Sequence, residues 1–300
     1  MDDLKRHTTK DGSLSLYSLS YKEGFHDKDG AFKESMNKYL LPAHLDQFSK
    51  KERIVVLDVC MGLGYNSGCI IEELFKHNRK FEWHGLEIDQ RPLRIGLKEK
   101  GFQELWSPKV LNFFTSLSNV ETWSEDLNEG TIHWGDARQK IYEINDSLKF
   151  DLILLDPFSP QKCPELWSEQ FIHLLSAKLS SNGRLVTYSS AASVRASLKR
   201  AGLKIYSIVP SMGNHEKWSE GTVAMRQKSK QQLNSKGCQL KDLSTKELEH
   251  LSTRSSIPYR DPTGKGSSEE IKLNREIEQS KSQLTVTSSW RKRWNSAQSQ

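Results

Sequence analysis

The run Ile54-Val55-Val56-Leu57-Asp58-Val59 is an apolar segment of strand length. It gives way at once to a glycine-rich turn, Gly62-Leu63-Gly64-Tyr65-Asn66-Ser67-Gly68, and then to an apolar helix through Ile70, Ile71, Leu74 and Phe75. Few folds accept a buried strand that feeds a tight turn and a helix with no room between them. The pattern then repeats. Strands are expected over 81–86, 131–134, 150–155, 184–188, 204–209 and 222–225, with helices over 31–48, around 91–127, and over 165–179 and 193–201. Strands that alternate with helices predict an open, mostly parallel α/β sheet of about seven strands.

In such a sheet ligands bind beyond the carboxyl ends of the strands. Asp58, Glu87, Asp136 and Asp156 each fall in or just after such an end. The glycines at 62 and 64 permit a tight turn and close backbone approach to a ligand. Dinucleotides and S-adenosylmethionine both use this arrangement. A dinucleotide needs a helix N-terminus for its pyrophosphate, and an acid at 58 would repel one. The same acid can accept from the ammonium of S-adenosylmethionine, Glu87 from ribose hydroxyls, and Asp136 from an adenine amino group. The pattern therefore favours S-adenosylmethionine.

Leu154-Leu155-Asp156-Pro157-Phe158-Ser159-Pro160 ends a strand on a carboxylate and stiffens the next few residues with proline. A strand-end acid followed by Pro and an aromatic resembles the Asp/Asn-Pro-Pro-Tyr/Phe element of amino-methyltransferases. An alkylamine has a pKa of about 10, so roughly one in a thousand is unprotonated at pH 7. An aimed carboxylate can hold the amine and receive its proton. Positioning alone can supply on the order of 7–11 kcal/mol. Phe158 can pack against a flat base.

The longer stretch Leu155-Asp-Pro-Phe-Ser-Pro-Gln-Lys-Cys-Pro-Glu-Leu-Trp167 resembles the Leu-Asp-Gly-Phe-Ala-Pro-Ala-Lys-Asn-Pro-x-x-Trp signature of MnmC-type tRNA methyltransferases. That family methylates the 5-aminomethyl group of wobble (2-thio)uridine. Asp58 to Asn66 is similar to its acid-x-Gly-Phe-Gly-x-Gly-x-Asn turn, and His133-Trp134-Gly135-Asp136 to its Trp-Phe-Gly-Asp. Ser190 to Arg195, Leu198 and Ala201-Gly202-Leu203 follow its Ser-Ala-x-x-Val-Arg-x-x-Leu-x-x-Ala-Gly-Phe, and Asp29-Gly30-Ala31 to Glu34-Ser35 looks like its Gly-x-x-Glu-Ser/Thr. Cys60 and Pro157 stand where the family has glycines, Met61 where it has Phe, and 213–225 lacks the Lys-Arg-Glu cluster of long members.

The resemblance covers about 8–226 and implies a Rossmann-like class I S-adenosylmethionine-dependent methyltransferase. It places Asp156 against the amine, and Asp58, Gly62, Gly64, Asn66, Glu87, Asp136 and Ala137 around the cofactor. Lys162 and Arg195 would face anionic tRNA. With no second Gly-x-Gly-x-x-Gly, a stand-alone methyltransferase without the flavin oxidoreductase domain of long members is expected. Residues 1–50 would cover the cofactor site, 51–226 form the methyltransferase domain, and 227–300 a basic, partly helical extension.

Charge distribution agrees with a polyanionic partner. Residues 227–300 carry 14 Lys/Arg against 8 Asp/Glu, which accounts for the whole net charge of +6, and each neutralised phosphate releases counterions. Ser244-x-x-Glu247 and Ser267-x-x-Glu270 read as capping boxes. Trp290-Arg291-Lys292-Arg293-Trp294 interleaves aromatic and basic residues, a pattern that stacks on bases and holds phosphates or anchors the tail by packing. An aminopropyltransferase shares the expected fold but wants an acidic cleft, and a tRNA-binding protein with an inactive fold would not need four intact acids. A mean hydropathy of -0.67 and the lack of an apolar N-terminal stretch or of about 18 consecutive apolar residues predict no signal peptide and no membrane span. The four cysteines lack metal or paired spacing, so reduced thiols in a cytoplasmic protein are expected. His26, His84 and His215 show no metal-ligand spacing.

Overall fold

A computed structural model describes residues 3–49, 52–209, 219–226, 234–235 and 238–297. His215, with 213–218 of the 213–225 segment, lies outside them. The N-terminal residues form a small antiparallel sheet of β1 (Leu4–Thr8), β2 (Leu14–Ser18) and β3 (Glu23–Gly24). The main sheet takes β4 (Ile54–Val59), β5 (Phe81–Glu87), β6 (Thr122–Glu125), β7 (Asn128–Trp134), β8 (Phe150–Leu155), β9 (Leu179–Thr187), β10 (Leu203–Ile208), β11 (Gly221–Arg226), β12 (Asn234–Ser235) and β13 (Cys238–Asp242). Its order is β12-β13-β10-β11-β9-β8-β4-β5-β7-β6.

The sheet is wider and more mixed than expected. Only its centre, β9-β8-β4-β5-β7, is parallel, and both flanks are antiparallel. On one side β6 forms where a helix was expected to continue. Glu121 adopts a left-handed φ of 66° and stops the helix Pro108–Val120, and the chain doubles back through Asp126 at φ 53°. On the other side the expected tail continues the sheet, because β13 pairs with β10. The charge count, which separates 227–300 from the body, carries no sign of that pairing.

The single helix expected over 31–48 is also broken. Pro42 has no N–H to donate and its ring crowds the preceding turn. The chain answers with a wide π turn over Met36–Leu40, a short α turn over Leu41–Ala43 and a left-handed His44 at φ 46°. Single π turns inside helices occur often at functional sites. This one carries Tyr39.

Strand pleating sorts the core. Ile54 and Val56 of β4, with Leu152 and Leu154 of β8, face one apolar layer, which includes Trp83, Phe113 and the helix Tyr65–Lys76. Leu57, Val59, Ile153 and Leu155 face the other, with Trp167, Phe171 and Ile172. That is the period-2 alternation of a sheet covered on both faces. The ladder bonds run one residue beyond the strands. Cys60 N donates to Leu86 O at 2.8 Å, Asp156 N to Val59 O at 3.1 Å and Gly135 N to Glu87 O at 2.8 Å. These bonds hold the turns after β4, β5, β7 and β8 side by side on one rim.

Candidate active site

A cavity of about 990 Å³ opens over that rim, at the upper end of the roughly 300–1,000 Å³ usual for small-molecule sites. Gly62, Asn66, Glu87, Asp136, Ala137, Asp156 and Phe158 all line it. Glu87 closes β5 and is almost buried. It accepts from the backbone N–H of Gly62 at 2.8 Å, Ile88 at 2.7 Å and Asp89 at 2.9 Å. Burial raises its pKa above the usual carboxylate value, and the three N–H donors oppose that by favouring the ion. Gly62 sits at φ +57° with the Phe25 ring 3.3 Å from where a Cβ would stand, so a side chain there would be both strained and crowded.

Asp156 occupies the first position after β8. Its Oδ1 accepts from the Tyr39 hydroxyl at 2.5 Å and its Oδ2 from Asn66 Nδ2 at 2.7 Å. Burial, then the nearby Glu34 carboxylate, push its pKa well above the ordinary value, although both hydrogen bonds pull the other way. The result is a carboxylate aimed into the cavity with raised basicity. Behind it, Tyr188 donates to Pro157 O at 2.9 Å, and Trp167 Nε1 to Phe158 O at 2.7 Å. The prolines are therefore not the whole of the stiffening: the carbonyls of the Pro157-Phe158 pair are tied to the half-buried Tyr188 and the buried Trp167. Phe158 stacks on Tyr21 at 4.4 Å between centroids and meets Phe25 edge-on at 5.1 Å, an aromatic wall on the cavity.

The acceptor-rich rim suits a ligand rich in donors. Asn66 Oδ1 is buried beside the cavity without a partner among the described residues, an acceptor that a ligand N–H would satisfy. The close glycine turn, that orphaned acceptor and the acids after β5 and β7 fit S-adenosylmethionine better than a pyrophosphate.

Comparison with known proteins agrees. Residues 98–226 match a family described as S-adenosyl-L-methionine-dependent methyltransferase. The crystal structure of MnmC2 from Aquifex aeolicus superposes with a TM-score of 0.78 at 27% identity, covering 93% of this chain and 86% of that one. The chain is a class I S-adenosylmethionine-dependent methyltransferase related to the MnmC family. An uncharacterized protein of Methanocaldococcus jannaschii is 30% identical to this methyltransferase over 203 residues, 66% of this chain and 53% of that protein. The tRNA 5-methylaminomethyl-2-thiouridine biosynthesis bifunctional protein MnmC of Azoarcus is 28% identical over 199 residues, 63% of this chain and 31% of that protein. The chain thus matches about half of the first relative and under a third of the second.

Several expected site residues of the methyltransferase are placed differently. Asp58 shares the pleat of Val56, which turns it away from the cavity and under the helix Tyr65–Lys76. It is fully buried, and its Oδ2 accepts from Ser67 Oγ at 2.5 Å. Ser67 in turn accepts from Trp83 Nε1 at 2.8 Å. Burial lifts Asp58 to a pKa of about 7. Gly64 is likewise not part of the lining: it caps that helix at φ +96°, where a Cβ would stand 2.9 Å from the Phe114 ring. Asp58 and Gly64 shape the turn from below.

Arg195 does not face solvent. It is 1% exposed and its guanidinium donates to Thr222 Oγ1, Glu247 Oε1, Ser219 Oγ and Gly221 O. Trp290 is buried and stacks on His250 at 4.4 Å and 11°, so it packs the tail and leaves no face for a base. Lys162 is half-buried outside the lining. Arg291, Lys292 and Arg293 are exposed on the helix Thr287–Ala297, and Arg293 pairs with Glu249. Ser244 and Glu247 form a reciprocal capping box, whereas Ser267 caps its helix through the Glu270 N–H.

Sequence reading missed Tyr39, Tyr188, Tyr21, Phe25 and Glu23. Glu23 accepts from Ser159 N at 3.0 Å and Ser159 Oγ at 2.9 Å, tying β3 to the loop after Asp156. A tyrosine in a broken helix and aromatics beside a two-residue strand carry no spacing that marks them. Among the described residues no helix is long and apolar enough to cross a membrane, and all four cysteines are free.

Proposed function

We propose that this methyltransferase methylates the amine of 5-aminomethyl-(2-thio)uridine at the wobble position of tRNA, giving the 5-methylaminomethyl form. The observation that carries the reading is Asp156, clamped by Tyr39 and Asn66 at the end of β8, opposite the glycine turn and within one cavity. The relation to a protein named for tRNA 5-methylaminomethyl-2-thiouridine biosynthesis supports the choice of amine.

The chemistry follows from charge. The substrate amine arrives as an ammonium, which a carboxylate recessed from water binds strongly. Asp156 is more basic than an ordinary carboxylate, so it takes one ammonium proton and leaves the nitrogen lone pair free. S-adenosylmethionine, when bound, supplies an electrophilic methyl, so that the N–C bond forms as the S–C bond breaks and a neutral thioether leaves. The Tyr39 and Asn66 donors keep the carboxyl group from rotating as its charge changes. The wall of Tyr21, Phe25 and Phe158 offers an apolar face for the uracil ring. The exposed Arg291, Lys292 and Arg293 supply phosphate contacts.

The test uses tRNA bearing unmethylated 5-aminomethyl wobble uridine and labelled S-adenosylmethionine, with digestion to nucleosides. Label on 5-methylaminomethyluridine or its 2-thio form, abolished in Asp156→Ala, is the expected result. A labelled nucleoside elsewhere, or full-rate turnover by the variant, overturns the assignment.

A further inference from the structure

The segment from Ile257 to Ser268, far beyond the matched methyltransferase family region, crosses the outer wall of the cofactor cavity. Tyr259 O accepts from Glu169 N at 2.8 Å, Asp261 N donates to Gln170 Oε1 at 2.9 Å, and Gly264 O accepts from Gln139 Nε2 at 2.9 Å. Ser268 Oγ donates to Glu165, itself a cavity residue, at 2.8 Å. At the centre of this strap one guanidinium is shared by two carboxylates. Arg138 Nη2 donates to Asp136 Oδ2 at 2.7 Å, with Nε at 3.1 and 3.2 Å from the two oxygens. Its Nη1 donates to Asp261 Oδ2 at 2.6 Å and to Gly266 O at 2.9 Å.

The burial is graded along this chain of contacts. The Asp261 side chain is 1% exposed, Arg138 13% and Asp136 34%. Asp261 is anchored in addition by Gly266 N at 3.0 Å and Thr263 Oγ1 at 3.3 Å on its second oxygen. A planar guanidinium fork held at one end by a buried acid has little freedom at the other. The exposed end of the chain is the acid expected to accept from the adenine amino group.

We propose that Asp261 is a positioning residue of the cofactor site: through Arg138 it fixes the orientation of the Asp136 carboxylate and thereby the selection of adenine. The proposal rests on the reading of Asp136 as the adenine acceptor. The tail is then part of the binding site and not an appendage to it. Its sequence mark is the Pro258-Tyr259-Arg260-Asp261-Pro262 run, whose buried aspartate would otherwise be an unexplained charge.

The test is calorimetric binding of S-adenosylhomocysteine and of S-inosylhomocysteine, in which the 6-amino group is replaced by a carbonyl. The wild type is expected to prefer the adenosyl form. Asp261→Asn keeps the shape but turns an N–H or a neutral oxygen towards Arg138, and the preference is expected to fall about tenfold, the worth of one charge-assisted hydrogen bond. Arg138→Lys, which keeps the charge and loses the fork, is expected to do the same, and serves if the first variant fails to fold. General destabilisation weakens both ligands together and leaves their ratio unchanged. Asp136→Ala separates the relay from its end point. If it abolishes the preference while Asp261→Asn and Arg138→Lys retain it, the relay is overturned and Asp136 stands. If Asp136→Ala retains it as well, both fall.

Discussion

The Tyr39 hydroxyl donates to Asp156 Oδ1 at 2.5 Å, joining a π turn near the N-terminus to the end of β8 across 117 residues of chain. Tyr188 N reaches the same hydroxyl at 3.3 Å. Burial, followed by Asp156 itself, raises the Tyr39 pKa well above its usual value, so the phenol stays protonated and donates throughout the working pH range. Its bond favours the charged form of Asp156, opposing the burial that favours the neutral one.

Tyr39→Phe therefore removes a donor without removing a ring. The Asp156 pKa rises further, and the acidic limb of the kcat/KM profile shifts to higher pH. A hydrogen bond to a charged group contributes about 1.5–3 kcal/mol, so the rate at pH 7 falls roughly 10- to 100-fold. A pH–rate series on both proteins measures this. An unchanged limb would remove Tyr39 from the catalytic environment.

Cys60 occupies the left-handed region at φ 69°, directly after β4. A non-glycine residue there costs about 1–2 kcal/mol, while glycine adds about 0.5–1 kcal/mol of unfolded-chain entropy. Cys60→Gly should leave the melting temperature unchanged or raise it slightly. Cys60→Val, β-branched at the same φ, should lower it. Thermal unfolding of the pair decides, and a glycine variant that melts several degrees below wild type would mean that the thiol's packing outweighs the backbone strain.

Asp58 gives a pH signature of stability. It keeps its proton to about pH 7 in the folded chain, against about 4 when unfolded. A raised folded pKa means the folded state binds the proton more tightly. That contribution is fully present below about pH 4 and is lost as pH rises through 7. Asp58→Asn retains an acceptor for Ser67 and cannot ionise. The stability of wild type minus that of the variant, taken from denaturant unfolding, should fall steadily between pH 4 and 7. A flat difference would show that Asp58 is ionised in the fold.

What was legible in the sequence was whatever local periodicity or a turn requirement encodes. The strand ends at Val59, Glu87, Trp134 and Leu155 were readable because apolar runs stop at glycines and acids. The side to which an acid points was not: Asp58 lies one residue before the end of β4 and Glu87 ends β5, yet the pleat buries one under a helix and presents the other to the cavity. The aromatic wall of Tyr21, Phe25 and Phe158 depends on a three-stranded sheet docking across the rim, a long-range event with no local signal. Trp290 and Arg195 misled for a shared reason. An aromatic or a guanidinium looks the same in sequence whether it meets a nucleic acid or a partner inside the protein.

Arg195 and Glu247 make that last distinction testable. Their ion pair is 2.8 Å long with side chains 1% and 4% exposed, and it joins the helix Ala192–Arg200 to the capped helix Thr245–His250 of the tail. Glu247 also accepts from Ser207 Oγ at 2.8 Å and Ser244 N at 2.8 Å. Breaking a buried pair from one side leaves a charge without its partner and costs about 3–5 kcal/mol. Glu247→Met and Arg195→Met should each lower stability by that order. The double variant Arg195→Met/Glu247→Met should lose clearly less than the sum, because no isolated charge remains. A residue that instead faced tRNA would show the opposite pattern, with unchanged unfolding and weaker, salt-sensitive tRNA binding. Denaturant unfolding of the cycle, run beside tRNA binding at two salt concentrations, separates the two. Wild-type unfolding in Arg195→Met would undo the placement of this arginine as the staple between body and tail.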